Sequence, residues 1–390
     1  TFKHMRFKEI PEDFYVKEIL KENILKNRGE YSVYEIWKKN ITTHEAIKRV
    51  ALYFKIKPEL INFCGLKDKT SVSVQYFSLP SYINKNFDMI NLKGKFIGYS
   101  DKPLSPSSLK YNFFKVLLRD VKLKDEILER IEEIKIFGLP NYFDHQRFGH
   151  AIRYGKFIFE EIIKGEYEEA LRIYFLSIEE TQRKRIKKFK KAIKRYFGDW
   201  GKILKFAEGA EERKVLMYLL KYKDLESAVF QIPEHKLIFY AESYQSYLWN
   251  RALYYFLKSL GLKGYRARHK LNPFFFYRIL PPDIKSRLLN KNFPFPLIED
   301  KEGDLDFIEI LNKIEKQRCL NIRDEFKKYL IKSKRNAIFL PFDVKTSFEN
   351  INLEMSFYLP VGSYASILLK SLISYEKIIK NRGRENARDN

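Results

Sequence analysis

From Pro11 onward apolar and polar positions alternate, with Phe14, Val16 and Glu18 on one side of an extended segment and a loop at 27–30 interrupting it. Thr42, followed three residues later by Glu45, is a capping box. It opens a helix whose Ile47, Val50, Ala51 and Phe54 recur at helical spacing. A short strand at 61–63 comes next, then Gly65-Leu66-Lys67-Asp68-Lys69, then a strand carrying Val72, Val74 and Tyr76 on one face. Asp68 is therefore expected on a tight connection between two strands. Phe114, Val116 and Leu118 mark a further strand, and Ile127, Ile131 and Ile134 a helix that stops near Gly138 and Pro140. This mixture predicts an α+β sheet domain over about the first 150 residues.

From about 155 to 260 the period turns helical. Its most basic piece, RKRIKKFKKAIKR at 183–195, holds nine Lys or Arg and no acid, while Ile186, Phe189 and Ile193 form a narrow apolar stripe. The run NPFFFYRILPP and the prolines over 281–296 predict irregular or β structure. Strand signals return at 337–341 and 353–359. Gly362-Ser363 then precedes a helix with Ile367, Leu368 and Leu372, and the polar end from 377 is expected to fray.

Charge changes the picture more than length does. The 390 residues suffice for two or three packed units, and 45% hydrophobic residues rule out a disordered chain. The net charge of +24 makes a polyanion the expected partner, because a basic surface gains affinity by releasing counterions condensed on phosphates. Nucleic acid leads and an anionic membrane surface is second. Cys64 and Cys319 form no CxxC pair, so a disulfide framework and a zinc finger are excluded and a reducing compartment fits. The six histidines contain no HExxH, and no metal is expected. No apolar run approaches the length of about 18 that a membrane span needs, and the start TFKHMRFK lacks a leader's apolar region. A soluble, cytoplasmic protein is expected. Thr1 in place of methionine points to a trimmed start.

Fingerprints of nucleotide hydrolysis and cofactor redox chemistry are missing: no GxGxxG, no GxxxxGK[ST], no GxSxG. What stands out is Asp68 between Lys67 and Lys69. Flanking ammonium groups suit a charged carboxylate that acts as nucleophile or base, although such a turn is also common as plain surface structure. NYFDHQRFG at 141–149 gathers three aromatics with Gln146 and Arg147. These are ingredients of a pocket that stacks an extruded base, and equally of a core with one ion pair. In AESYQSYLWN, 241–250, Tyr244, Tyr247 and Leu248 share one helix side, as ordinary packing would also require.

Six motifs in order, PEDFYVKE (11–18), CGLKDKTSVSVQ (64–75), NFFKVLLR (112–119), GLPNYFDHQRFG (138–149), SYQSYLWN (243–250) and LPVGSYAS (359–366), resemble the TruD family of tRNA pseudouridine synthases. The resemblance implies a catalytic domain with a mixed, mainly antiparallel sheet and flanking helices, built from 1–152 and 341–390. An inserted α/β domain is expected over 153–340, with a helix at 241–258 a candidate to pack on the catalytic part. It implies isomerisation of uridine to pseudouridine, at uridine 13 in the D arm of tRNA, with no cofactor. The monomer is the expected state. Asp68 falls on the family's catalytic aspartate, and Phe14, Asn112, Phe114 and Tyr364 on its pocket. Lys8, Lys67 and Arg147 complete the expected substrate-binding set, and Arg119 and Arg147 are both candidates to pair with Asp68, Arg147 preferred. For RNA phosphates the expected set is Arg183, Lys184, Arg185, Lys187, Lys188, Lys190, Lys191, Lys194 and Arg195. The sequence departs from the pattern at Cys64, Tyr111 and Asp144, the last adding a negative charge in a loop expected to face RNA. Whether the aspartate attacks the sugar carbon or removes a sugar proton stays open. An RNA chaperone of the same fold, a synthase acting on other RNAs and a basic metal-dependent nuclease are the competing readings.

Overall fold

A computed structural model describes residues 5–178, 184–318 and 322–386. The chain divides into two compact units. The first comprises Thr1–Asn141, Phe276–Leu280 and Ile338–Asn390, and the second Tyr142–Phe275 and Pro281–Ala337.

The first unit is built on one nine-stranded sheet. Its strands are β1 (Phe14–Leu20), β2 (Tyr31–Lys39), β3 (Asn62–Phe63), β4 (Val72–Pro80), β5 (Phe87–Met89), β6 (Leu92–Ser100), β7 (Leu109–Leu118), β8 (Phe342–Glu349) and β9 (Asn352–Pro360). They lie in the order β8-β9-β7-β1-β4-β2-β6-β5, with β3 beside β4. Only β1 and β4 run parallel; the remaining pairs are antiparallel. The fold is therefore α+β with a mixed, mainly antiparallel sheet. Strands from the two ends of the chain become neighbours where Leu353 pairs with Leu118 and Phe357 with Phe114.

Local chemistry sets the helices that cover this sheet. The Thr42 hydroxyl accepts from the Glu45 backbone N–H at 3.1 Å, closing the N-terminus of the helix Thr43–Phe54. That helix buries Ala46, Ile47, Val50 and Ala51 in one cluster with Tyr34, Ile36, Phe77 and Leu79 of β2 and β4. The helix Lys124–Phe137 buries Ile127, Ile131 and Ile134, and stops at Gly138. There φ is +71° and a Cβ would meet the Phe339 carbonyl oxygen at 2.5 Å, so only glycine fits.

The second unit is mainly helical around the 26-residue helix Glu234–Ser259, most of whose inward residues, Tyr244, Leu248 and Trp249 among them, are buried. Its polar residues act as clamps. Asn250 accepts from the Phe143 N–H and donates to the Phe143 carbonyl, both at 2.8 Å, and Gln245 does the same for Pro296 and Ile331. These bonds move the expected domain boundary. Residues 142–148 belong with this helix, so the first stretch of the first unit ends at Asn141 rather than at 152, and the helix over 241–258 is part of the second unit. Phe276–Leu280 returns to the first unit, where the Tyr277 hydroxyl donates to the Phe137 carbonyl at 3.0 Å. Two further expectations fail. Pro282 is the first residue of the helix Pro282–Asn290, not part of an irregular run, because proline's fixed φ and missing N–H suit that position. The polar stretch expected to fray continues the helix Ala365–Asn386 as far as residue 386, and the part of that expectation over 387–390 lies outside the described residues.

Candidate active site

Asp68 sits on the connection between β3 and β4. The loop is pinned through its main chain: the Asp68 carbonyl accepts from Lys38 Nζ at 3.0 Å and from Ser71 Oγ at 2.8 Å. Lys38 is fully buried and also donates to the Ile41 carbonyl at 2.7 Å. Burial lowers its pKa to about 8, against the pull of Asp68. The Asp68 carboxylate itself is 23% exposed and pairs through Oδ2 with the ammonium of Lys8. Lys8 adopts φ +58° just before β1 and sets its Nζ 3.9 Å from the centroid of the Phe14 ring, a cation–π contact. Phe14 in turn meets Phe114 edge-on at 5.9 Å, and Phe114 stacks on Phe357 at 5.6 Å.

Strand alternation gathers the other groups on the same sheet face. In β7, Asn112 and Phe114 are two residues apart, and they pair with Glu18 and Val16 on one side and with Leu359 and Phe357 on the other. Glu18 is buried, its carboxylate paired with Lys67 and accepting from the Tyr76 N–H at 2.9 Å. Burial raises the Glu18 pKa, and Lys67 works against that rise. Tyr364 is half-buried in the turn between β9 and the helix Ala365–Asn386. One partly exposed acid, one ammonium, an amide and a row of rings thus share one unit. Such a set can hold a flat heterocycle and present a carboxylate to the atom it is attached to.

The family model of tRNA pseudouridine synthase D (TruD) matches residues 3–263. The chain belongs to the TruD family. It is 32% identical to "Probable tRNA pseudouridine synthase D 1" of Methanococcus maripaludis, over 95% of this chain and 100% of that protein. It is also 32% identical to tRNA pseudouridine synthase D of Aquifex aeolicus, over 94% of this chain and 98% of the relative. A crystal structure of a TruD protein from Methanosarcina mazei shares the fold, with a TM-score of 0.66 at 20% identity, covering 97% of this chain and 94% of that one. As a member of a pseudouridine synthase family, the chain is an isomerase.

Several residues of this TruD chain stand elsewhere than the sequence led one to expect. The cation at Asp68 is Lys8, sixty residues away, whereas Lys67 is committed to Glu18 and Lys69 is exposed. Of the two arginine candidates, Arg119 makes a two-point contact with Asp13 at 3.0 and 2.6 Å instead of pairing with Asp68, and Arg147 binds Glu242 at 3.0 Å and Ser246 at 3.1 Å within the second unit. Asp13 was missed, although a buried acid inside PEDF is a readable signal; its bidentate guanidinium keeps it below the usual aspartate range despite burial. The aromatics of NYFDHQRFG are core rather than pocket, since Tyr142, Phe143 and Phe148 are buried. Asp144 is buried too, 3.8 Å from His269, so its charge is not displayed on an exposed loop. Tyr111 packs edge-on with Phe342 at 4.7 Å, on the face opposite Asn112, which leaves the pocket side undisturbed.

The basic helix is Lys184–Tyr196; Arg183 lies outside the described residues. Lys184, Arg185, Lys187, Lys188, Lys191, Lys194 and Arg195 are exposed, while Lys190 is buried beside Phe189, Ala192 and Ile193 on the packed side. Lys190 is thereby removed from the phosphate-facing set. Among the described residues, no helix is long and apolar enough to cross a membrane.

Proposed function

We propose that this chain isomerises uridine to pseudouridine in tRNA, at uridine 13 of the D arm, with Asp68 as the group that starts the reaction. The observation that carries the reading is the Asp68 carboxylate, partly exposed and paired with Lys8, at the edge of the Phe14–Phe114 ring row. The names of its relatives supply the substrate class. The target base leaves its stack and lies against these rings, and Asn112 and Tyr364 border it. Lys8 orients the carboxylate toward the sugar. The N1–C1′ bond then breaks, the uracil turns, C5 joins C1′, and as the C5 hydrogen leaves as a proton the freed N1 takes a proton up, so the product is an isomer and no electrons are exchanged. Exposed cations of the helix Lys184–Tyr196 hold tRNA phosphates in this reading.

Tritium release from tRNA labelled at uridine C5 tests it. Asp68→Asn keeps size and shape but removes the charge and the nucleophile. Its release is expected to fall to background while tRNA affinity changes far less, because binding rests on a spread positive surface. Replacing uridine 13 by cytidine in the transcript is expected to abolish release by the wild-type protein. Turnover by a folded Asp68→Asn protein would refute the role given to Asp68.

A further inference from the structure

The second unit carries an aromatic ring that its own packing does not use. Ile152 pairs with Phe157 and Arg153 with Lys156, so Tyr154 and Gly155 form a two-residue hairpin turn. Both have positive φ, 50° and 80°. This is the arrangement that Asn-Gly or Asp-Gly ordinarily supplies, and a bulky aromatic in it is strained. The hairpin is anchored at its base, where Phe157 is buried against Tyr244 and Tyr247 at 5.4 and 4.8 Å. Its tip is open: Tyr154 is 72% exposed, and a Cβ on Gly155 would meet nothing within 4 Å.

What surrounds the ring is positive. The Arg153 guanidinium lies 5.1 Å from its centroid. Arg153, with a smaller contribution from the charge of Lys194, holds the phenol below the usual tyrosine range. Lys194 also belongs to the row Lys187, Lys191 and Lys194 on the basic helix, exposed residues at i, i+4 and i+7 that share one side. The apolar side of that helix, Phe189, Ala192 and Ile193, is already buried in the unit. It has no apolar face left to enter a lipid surface, which leaves an anion that carries flat rings as the best match.

We propose that Tyr154 is a stacking platform for an unpaired RNA base, with Arg153 and the Lys187–Lys191–Lys194 row on the adjoining phosphates. The proposal rests on the reading of tRNA as substrate and adds a second contact point, away from Asp68, at a residue whose conformation favours asparagine. The ring is retained there at the expense of the turn.

Tyr154→Asn separates the alternatives, since asparagine suits the positive φ and removes the ring. The full chain and its variants are titrated with a fluorescein-labelled tRNA transcript and with a labelled single-stranded RNA of mixed sequence. Tyr154→Asn is expected to melt no lower than wild type, yet to bind both RNAs about 5- to 150-fold more weakly, the range that loss of one stacked base gives. Its salt dependence should stay parallel to wild type, because no charge is removed. Tyr154→Phe should keep the affinity. Unchanged affinity in Tyr154→Asn, or an equal loss in Tyr154→Phe, overturns the platform. Tritium release by the wild-type protein is measured alongside. If release is absent while binding depends on the Tyr154 ring, the isomerase reading fails and the platform stands.

Discussion

Lys38 has its ammonium inside the sheet, on two main-chain carbonyls, one of them that of Asp68. Below about pH 8 the folded and unfolded chains both hold its proton, and burial of the charge costs stability in full. Between about pH 8 and 10.5 the unfolded chain still binds the proton and the folded one does not, so stability rises with pH across that window. Urea unfolding at pH 7.5 and 9.5 is expected to show wild type gaining about 2 kcal/mol on Lys38→Met, at about 1.4 kcal/mol per pH unit. A difference that does not move with pH refutes this account. The sequence made Asp68 visible through its turn, but not its cation. Adjacent side chains on a tight turn leave in different directions, and Lys67 is drawn to the buried Glu18, where an unpaired carboxylate would be far more costly. The partner that does reach Asp68 comes from residue 8, and no local pattern encodes a contact across sixty residues.

At the level of elements, the strongest local signals were legible. The Thr42–Glu45 cap, the apolar stripe behind it and the Gly138 stop all appear where the pattern puts them. What escaped has a physical reason in each case. β6 holds Gly94 and Gly98, poor strand formers, and Gly94 is required because the Phe87 ring occupies the space a Cβ would need. β8 lies at the sheet edge with most of its residues exposed, so it carries no alternation to detect. For the basic helix, replacing Lys187, Lys188, Lys191 and Lys194 with Gln is expected to weaken tRNA binding and to flatten the plot of log affinity against log salt by about 3, at roughly 0.7 to 0.9 per phosphate contact. Binding measured from 50 to 300 mM KCl on the order of five concentrations decides this, and an unchanged slope would leave the row as solvated surface. Lys190→Gln should instead act on stability, because its side chain lies on the packed side.

At the level of the whole molecule, the first unit is discontinuous, and its sheet is not complete until β9 arrives. Leu353, Met355 and Phe357 of β9 are buried next to Leu118, Val116 and Phe114 of β7. A chain ending at residue 337 is therefore expected to leave that row uncovered and to be recovered mainly as aggregate, whereas the full chain stays in solution. Sedimentation of the two lysates, with circular dichroism on any soluble truncated protein, checks it; a soluble truncated chain with native-like strand content would contradict it. The pairing of β7 with β9 also has a consequence for the order of events during synthesis. Leu118 and Leu353 are partners, yet the ribosome emits them more than two hundred residues apart, about 10 to 50 seconds at ordinary elongation rates. For that interval β7 waits with one open edge, while the whole of the second unit, which ends at Ala337, is emitted before Leu353 arrives. Codon choice between residues 120 and 350 thus governs how long a half-built sheet is exposed.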